Sequence, residues 1–504
     1  MSIISITNLT FAYDGGYENI FENVSFRIDT DWKIGLTGRN GRGKTTFLKL
    51  LMKQYEYEGT VSASTEFEYF PYEVSSGDST ALGAVEQIAP GVQYWQILKE
   101  INLLETEEEI LYRPFNTLSK GEQTKILLAA MFLRENSFLL IDEPTNHLDI
   151  KGRESVSRYL NGKKGFILVS HDRLFLDGCI DHILSINKTD IQIQKGNFSS
   201  WLINKERQDS FELAENNKLK KEIKRMEKAV KETVRWSDKA EARKIGIDPI
   251  KVDNKKGYRP LQAAKSKKLM ARAKAIETRR ENALEEKTKL LKNTETADKL
   301  KIGQLEYRSE RLLTVQKLSA AYSEKPLFEN LSFEINMGDR IWLKGKNGSG
   351  KSTLIRLMLE ASEGICQNGL IEKGSGLKIS YVPQDASGLK GRLSDYAREY
   401  DIEDSLFKAI LSKLDFSDLR FDRKIEDMSQ GQKKKILIAR SLCEKVHLHI
   451  WDEPMNYIDV ISRMQIEEML LEYKPTVLFV EHDGAFGEKI ANKVISLDNI
   501  GLLS

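Results

Sequence analysis

Residues 38–46 read Gly-Arg-Asn-Gly-Arg-Gly-Lys-Thr-Thr, and residues 345–353 read Gly-Lys-Asn-Gly-Ser-Gly-Lys-Ser-Thr. Both fit the spacing G-x-x-x-x-G-K-[ST], in which glycines let backbone N–H groups curl around phosphate oxygens and the following helix start adds partial positive charge. Gly38, Asn40, Gly41, Gly43, Lys44, Thr45 and Thr46 would hold one phosphate chain, and Gly345, Asn347, Gly348, Gly350, Lys351, Ser352 and Thr353 a second. Lys44 and Lys351 would reach the terminal phosphates, and the hydroxyls of Thr45 and Ser352 would ligate Mg2+. One match is compatible with a glycine-rich turn and a chance lysine; two in register are not.

The register extends outward from these loops. Phe21–Phe26 (FENVSF) returns as Phe328–Phe333 (FENLSF), the same offset of 307 that relates Gly38 to Gly345. LSKGEQ at 118 returns as MSQGQK at 428, IDEPTNHLD at 141 as WDEPMNYID at 451, and SHD at 170 as EHD at 481, at offsets of 310 to 311. Five elements in one order mean a duplicated domain of about 200 residues, the size one core supports. Within each copy, short apolar strands alternate with glycine-rich turns and helical stretches, which predicts an α/β fold with a mostly parallel sheet.

Each copy has an apolar strand that ends in acid, at Asp142-Glu143 and at Asp452-Glu453. Asp142 and Asp452 would hold the magnesium shell, while Glu143 and Glu453 could polarise an attacking water. His171 and His482 follow further apolar runs and, repeated in register, are candidate γ-phosphate sensors that orient that water.

LSKGEQ and MSQGQ resemble the signature motif of ATP-binding-cassette ATPases, and the order of phosphate loop, signature, acidic strand end and histidine matches that family in both copies. The resemblance implies an ATPase (ATP and water to ADP and phosphate) with ATP and Mg2+ as cofactors. Its cassettes would pair head to tail within one monomer. One site would then join Lys44, Asp142, Glu143 and His171 to Ser429 and Gly431; the other would join Lys351, Asp452, Glu453 and His482 to Ser119 and Gly121. Tyr13 and Tyr322 resemble the aromatic that stacks on adenine, although strand-edge tyrosines would read alike. The glutamine that reaches magnesium in this family is matched by Gln384. At the corresponding place the first copy reads Tyr69-Phe-Pro-Tyr72, and a tyrosine is a poorer magnesium ligand than an amide carbonyl. Unequal sites are therefore expected.

The segment between the copies has a different character. Residues 201–290 hold 26 Lys+Arg against 15 Asp+Glu in a chain whose net charge is only +2, so the basic character is local. Leu219, Ile223, Met226, Val230 and Val234 recur at helical spacing, as do Leu269, Ala273, Ile276 and Ala283, which predicts two antiparallel helices with a first helix over about 205–242. Gly246, Pro249, Gly257 and Pro260 would break both helices at a tip. The one-signed charge near this tip suits phosphate better than plain solvation. Arg243, Lys244, Lys255, Lys256, Arg259, Lys265, Lys267 and Lys268 are the candidate RNA contacts. Ile245, Ile247, Ile250, Val252 and Tyr258 either press on bases or hold the loop together.

The expected organisation is α/β, with two tandem nucleotide-binding cassettes at 1–198 and 306–504 joined by an α-helical hairpin linker at 199–305, its tip at about 243–262. With EPTNHLD in the first copy, this arrangement resembles the ABC-F proteins of the translation machinery. WDEPMNYIDVISRMQIEEMLLEY, MSQGQKKKILIARSLCEK and TDWKIGLTGRNGRGKTT are similar to that family's antibiotic-resistance branch of Lsa-like and Vga-like ribosomal protection proteins. The resemblance implies a cytoplasmic protein that binds the ribosomal E site with ATP. Its linker would approach large-subunit rRNA and P-site tRNA, so that lincosamides, pleuromutilins and streptogramin A dissociate from the peptidyl-transferase centre. A housekeeping ABC-F translation factor and an ATPase subunit of a transporter are the alternatives. No run of 18 apolar residues and no secretory leader are present, so no membrane partner is expected. The three cysteines, Cys179, Cys366 and Cys443, lack metal-ligand spacing and are expected to be buried thiols.

Overall fold

The computed structural model describes residues 2–13, 19–74, 79–146, 148–187, 191–245, 300–322, 325–346, 348–361, 363–416, 421 and 423–497. Most of the candidate linker tip, the second linker helix and Asn347 lie outside these residues. The chain divides into two compact units: Met1–Trp201 with Ala297–Ser504, and Leu202–Thr296.

The first cassette runs β1 (Ile3–Phe11), β2 (Phe21–Asp29), β3 (Lys33–Thr37), α1 (Lys44–Leu51), β4 (Glu58–Ser62), β5 (Glu66–Phe70), α2 (Ala81–Ile88), α3 (Tyr94–Leu103), α4 (Lys120–Phe132), β6 (Ser137–Asp142), α5 (Ile150–Asn161), β7 (Phe166–Val169), α6 (Arg173–Cys179), β8 (His182–Ile186) and β9 (Ile191–Lys195). Strands β2-β1-β4 form an antiparallel sheet, and β5-β6-β7-β3-β8-β9 a second sheet that is parallel except at its last pair. Strands β6 and β7 are short, nearly continuous apolar runs, as expected where both faces of a parallel sheet are covered. Phe138, Leu139, Leu140 and Ile141 of β6 are all buried, each contributing about 2 kcal/mol relative to exposure.

A 48-residue helix, α7 (Phe198–Ile245), leaves this cassette and spans about 72 Å at 1.5 Å per residue. Its first turn is held in the cassette: Phe198 and Trp201 are buried, and Ser199 donates its backbone N–H to Asp177 Oδ1 at 2.8 Å. Further along, Leu202, Lys205, Asp209, Glu212, Leu219 and Ile223 are half-covered and Asn216 is buried, against exposed neighbours. Their spacing alternates between three and four, as along a helix–helix seam. The helix is longer than the 205–242 expected from the sequence.

The second cassette repeats the plan with β10 (Arg311–Tyr322), β11 (Lys325–Asn336), β12 (Arg340–Lys344), α8 (Lys351–Met358), β13 (Cys366–Lys373), β14 (Ile379–Val382), α9 (Leu393–Glu399), α10 (Asp404–Lys413), α11 (Gln430–Cys443), β15 (Leu448–Asp452), α12 (Val460–Tyr473), β16 (Val477–Val480), α13 (Gly484–Ile490) and β17 (Lys493–Ser496). Its parallel sheet has the order β14-β15-β16-β12-β17. Cys179 is buried and Cys443 half-buried, but Cys366 is exposed. That corrects the expectation of three buried thiols: β13 is the edge of the antiparallel sheet, and most of its side chains face outward. Among the described residues no helix is long and apolar enough to cross a membrane.

Candidate nucleotide sites

Parallel strands place their carboxyl ends along one sheet edge, which is where α/β folds bind ligands. In the first cassette this brings together the loop after β3 (Gly38–Gly43), the end of β5, Asp142-Glu143 after β6 and His171 after β7. The order β6-β7-β3 sets these loops side by side. The second cassette does the same with β12, β14, β15 and β16.

Each phosphate loop turns into its helix through a glycine in the left-handed region. Gly43 has φ +89°, and a Cβ there would stand 2.6 Å from Ile20 Cγ2; Gly350 has φ +92° and would meet Phe328 at 3.0 Å. Lys44 Nζ donates to Gly38 O at 2.7 Å, and Lys351 Nζ to Gly345 O at 2.7 Å and Lys346 O at 2.8 Å. Both lysines thus lie folded over their own loops. Burial lowers the Lys44 pKa against the attraction of Asp459, Glu143 and Asp142.

Thr45 Oγ1 donates to Asp142 Oδ2 at 2.9 Å, and Ser352 Oγ to Asp452 Oδ2 at 2.9 Å. The two hydroxyl–carboxylate pairs expected to share one metal are therefore in contact in both cassettes. Asp452 Oδ1 is buried without a hydrogen-bond donor. A buried orphan oxygen beside a hydroxyl and a phosphate loop fits a hard, oxygen-ligated cation and its water shell.

Both glutamates adopt left-handed backbone, with φ +51° at Glu143 and +48° at Glu453, which is costly for a side chain with a Cβ and concentrates at functional sites. The strands impose it: Glu143 N donates to Val169 O at 2.9 Å and Glu453 N to Val480 O at 3.0 Å. His171 Nε2 lies 3.2 Å from Glu143 Oε1, and His482 Nε2 3.3 Å from Glu453 Oε1. Their electrostatics differ. Burial, with the Asp142 charge, pushes Glu143 up to about 8, and burial with Lys44 and Arg463 keeps His171 neutral. Burial would also raise Glu453, but hydrogen bonds from His482 and Gln384, with Lys351 nearby, hold it below its ordinary value.

The signature serines cap their helices. Ser119 accepts from Glu122 N at 3.3 Å and Ser429 from Gln432 N at 3.3 Å, each with a reciprocal side-chain bond that completes a capping box. The two cassettes meet head to tail. A cleft of about 1070 Å³ is lined by Ser119, Gly121 and Asn146 from the first cassette and by Tyr322, Gly348, Lys351, Ser352, Gln384, Glu453 and His482 from the second. On the other side Asn40 Nδ2 donates to Tyr457 O at 2.8 Å, and a Cβ on Gly431 would stand 3.0 Å from that same Nδ2. Arg39 pairs with Asp415 at 3.5 Å, and Arg173 with Glu467. The first phosphate loop is thus packed directly against the second signature, while the opposite pair stands open.

Tyr13 donates to or accepts from Thr46 Oγ1 at 2.8 Å and packs edge-on against Phe11 and Tyr55; it is partly exposed beside the first loop, as Tyr322 is at the cleft wall. In the first cassette the Tyr69 hydroxyl, at the end of β5, donates to Asp142 Oδ2 at 2.9 Å, a contact the sequence does not announce. Alternation along β5 was the available signal, since Tyr69 and Phe70 point to opposite faces. Also missed was the buried pair Lys435–Asp459, 2.8 Å apart. Arg243 and Lys244 fall in the last turn of α7, and Lys255, Lys256, Arg259, Lys265, Lys267 and Lys268 lie outside the described residues.

Comparison with known proteins agrees with this geometry. The ABC transporter family profile matches residues 21–146 and 328–456. Ribosome protection protein VmlR of Bacillus subtilis is 30% identical over 99% of this chain and 87% of its own. ATP-binding protein Uup of Buchnera aphidicola (subsp. Acyrthosiphon pisum) is 28% identical over 100% and 82%, and energy-dependent translational throttle protein EttA of Haemophilus influenzae 24% over 96% and 90%. Among solved structures, archaeal ribosome recycling factor aABCE1 in complex with stalk protein aP1 superposes with a TM-score of 0.61 at 19% identity, covering 97% of this chain and 87% of that one, a likeness of fold. With paired cassettes that bind and hydrolyse ATP and a long helix running on from the first, the chain belongs to the ABC-F family of ATP-binding-cassette ATPases.

Proposed function

We propose that this ATPase is a cytoplasmic ribosome protection factor of the Lsa-like and Vga-like branch. With ATP bound it occupies the ribosomal E site, and its linker displaces lincosamides, pleuromutilins and streptogramin A from the peptidyl-transferase centre. The observation that carries this reading is the similarity to VmlR along 99% of the chain, supported by a long helix leading into a basic segment. Arg243, Lys244, Lys255, Lys256, Arg259, Lys265, Lys267 and Lys268 neutralise rRNA phosphates, and the apolar tip residues meet rRNA or P-site tRNA.

In the ATP cycle, Lys44 and Lys351 turn from their own loop carbonyls to the β- and γ-phosphates, while the loop N–H groups take the remaining oxygens. Thr45 and Asp142 in one site, and Ser352, Asp452 and Gln384 in the other, would hold Mg2+, which would neutralise phosphate charge. Glu143 and Glu453 polarise the attacking water, with His171 and His482 holding it in line. Ser119 with Gly121, and Ser429 with Gly431, close on the γ-phosphate from the facing cassette through their helix N-termini. ATP thereby joins the halves, and hydrolysis releases them. A bacterial strain carrying the gene should survive higher concentrations of these three drug classes than the same strain without it. Unchanged susceptibility would favour a housekeeping ABC-F factor, and co-purification with a membrane protein a transporter subunit.

A further inference from the structure

The second cassette contains a buried lysine with no counterpart in the first. Lys434, on α11 just beyond the signature serine, is 1% exposed, and its ammonium donates to Pro383 O at 2.8 Å, Gln384 O at 3.1 Å and Asp452 O at 3.3 Å. An ammonium has three N–H bonds, and here each has a carbonyl. The acceptors sit at the carboxyl ends of the neighbouring strands β14 and β15, beside Glu453, to which Gln384 is hydrogen-bonded. The carboxylates of Glu481, Asp452, Glu453 and Asp385 offset the buried charge.

The two cassettes align structurally at this point. Lys125 Nζ donates to Leu104 O at 2.8 Å and Lys435 Nζ to Leu414 O at 2.6 Å, an offset of 310 at both ends. The residue before each is Thr124 in the first cassette and Lys434 in the second. Thr124 directs its hydroxyl to its own helix, donating to Lys120 O at 2.9 Å. The lysine therefore accompanies the cassette that has Gln384 and is missing from the one that has Tyr72.

We propose that Lys434 is a positioning residue for the second site, one that ties the backbone of Pro383 and Gln384 to the end of β15 and so fixes the Gln384 amide where it can reach the metal. This rests on the reading that Gln384 serves Mg2+. A three-carbonyl clamp removes the freedom of a loop that would otherwise carry only its own backbone bonds, and residues that orient a metal ligand in this way typically change metal affinity by about 10-fold or more when lost.

The test is Lys434→Met in the full chain, a change that keeps the stem and removes the donors. Hydrogen exchange without nucleotide should quicken at the amides of residues 384–387 and stay as in the wild type on β12 and β16. The Mg2+ concentration for half-maximal ATP hydrolysis should rise about 10-fold, with the KM for ATP at saturating Mg2+ little changed. In a Gln384→Ala background the same substitution should leave the Mg2+ requirement where Gln384→Ala alone puts it, because the two act as one unit. Unchanged exchange at 384–387, an unchanged Mg2+ requirement, or a shift that persists without Gln384 would each overturn the proposal. A Gln384→Ala protein with the wild-type Mg2+ requirement would overturn the metal reading of Gln384 itself, whatever Lys434 does to the loop.

Discussion

Gly43 shows how much of a nucleotide site is decided by single atoms. Its φ of +89° and the 2.6 Å approach of Ile20 Cγ2 to a built Cβ leave no place for a side chain. Left-handed backbone alone costs an L-residue about 1–2 kcal/mol, and about 1.4 kcal/mol is a factor of ten in affinity. Gly43→Ala should therefore weaken ATP at the first site by about 5- to 30-fold while the second keeps its affinity. Equilibrium binding would show this as one strong site in place of two, and two undiminished sites would contradict it. Such glycines, the lysines after them and the acid at each strand end were legible because phosphate chemistry leaves few alternatives at those spacings. Tyr69 and Lys434 were not. Tyr69 reads as an ordinary β-strand aromatic, and Lys434 as one of three consecutive lysines on a helix, where the usual expectation is solvent. Only the packing of α11 against β14 and β15 makes it a buried clamp.

At the scale of elements, the alternation of apolar strands and helices foretold the parallel sheets, and the duplication foretold that both cassettes would share them. The extra length of α7 was not foretold, because its start at Phe198 depends on Phe198 and Trp201 finding a pocket in the cassette. Strand β15 contains an element-scale liability. His449 is wholly buried, its Nδ1 3.1 Å from Ser441 Oγ on α11, which also accepts from Trp451 Nε1 at 2.9 Å. Burial pushes its pKa down from 6.5 to about 3. The folded cassette thus favours the neutral ring, so this group's contribution to stability is complete above pH 6.5 and is lost as the pH falls from there towards 3, on the order of 5 kcal/mol in all. His449→Gln removes the titration. Thermal unfolding followed across that window should show a shallower acid decline for the variant, and parallel curves would exclude His449 as a source of acid lability.

The whole molecule is two duplicated motors with unequal sites. One side has its phosphate loop packed on the facing signature through Asn40, Tyr457 and Gly431, and the other has an open cleft bearing Gln384. The sequence leads one to expect inequality from Tyr72, but which side stands open depends on side chains that meet only across the cassette interface. In the linker, helical spacing and basic charge are visible in the sequence. In the proposed cycle, ATP holds this chain on the ribosome and hydrolysis lets it go. Glu143→Gln with Glu453→Gln keeps both binding sites and removes both water-polarising carboxylates. Sedimented through a sucrose cushion with bacterial ribosomes and ATP, this double variant should travel with the ribosomes, and raised salt should release it because phosphate contacts displace counterions. A double variant that binds ATP yet stays in the supernatant would contradict the account.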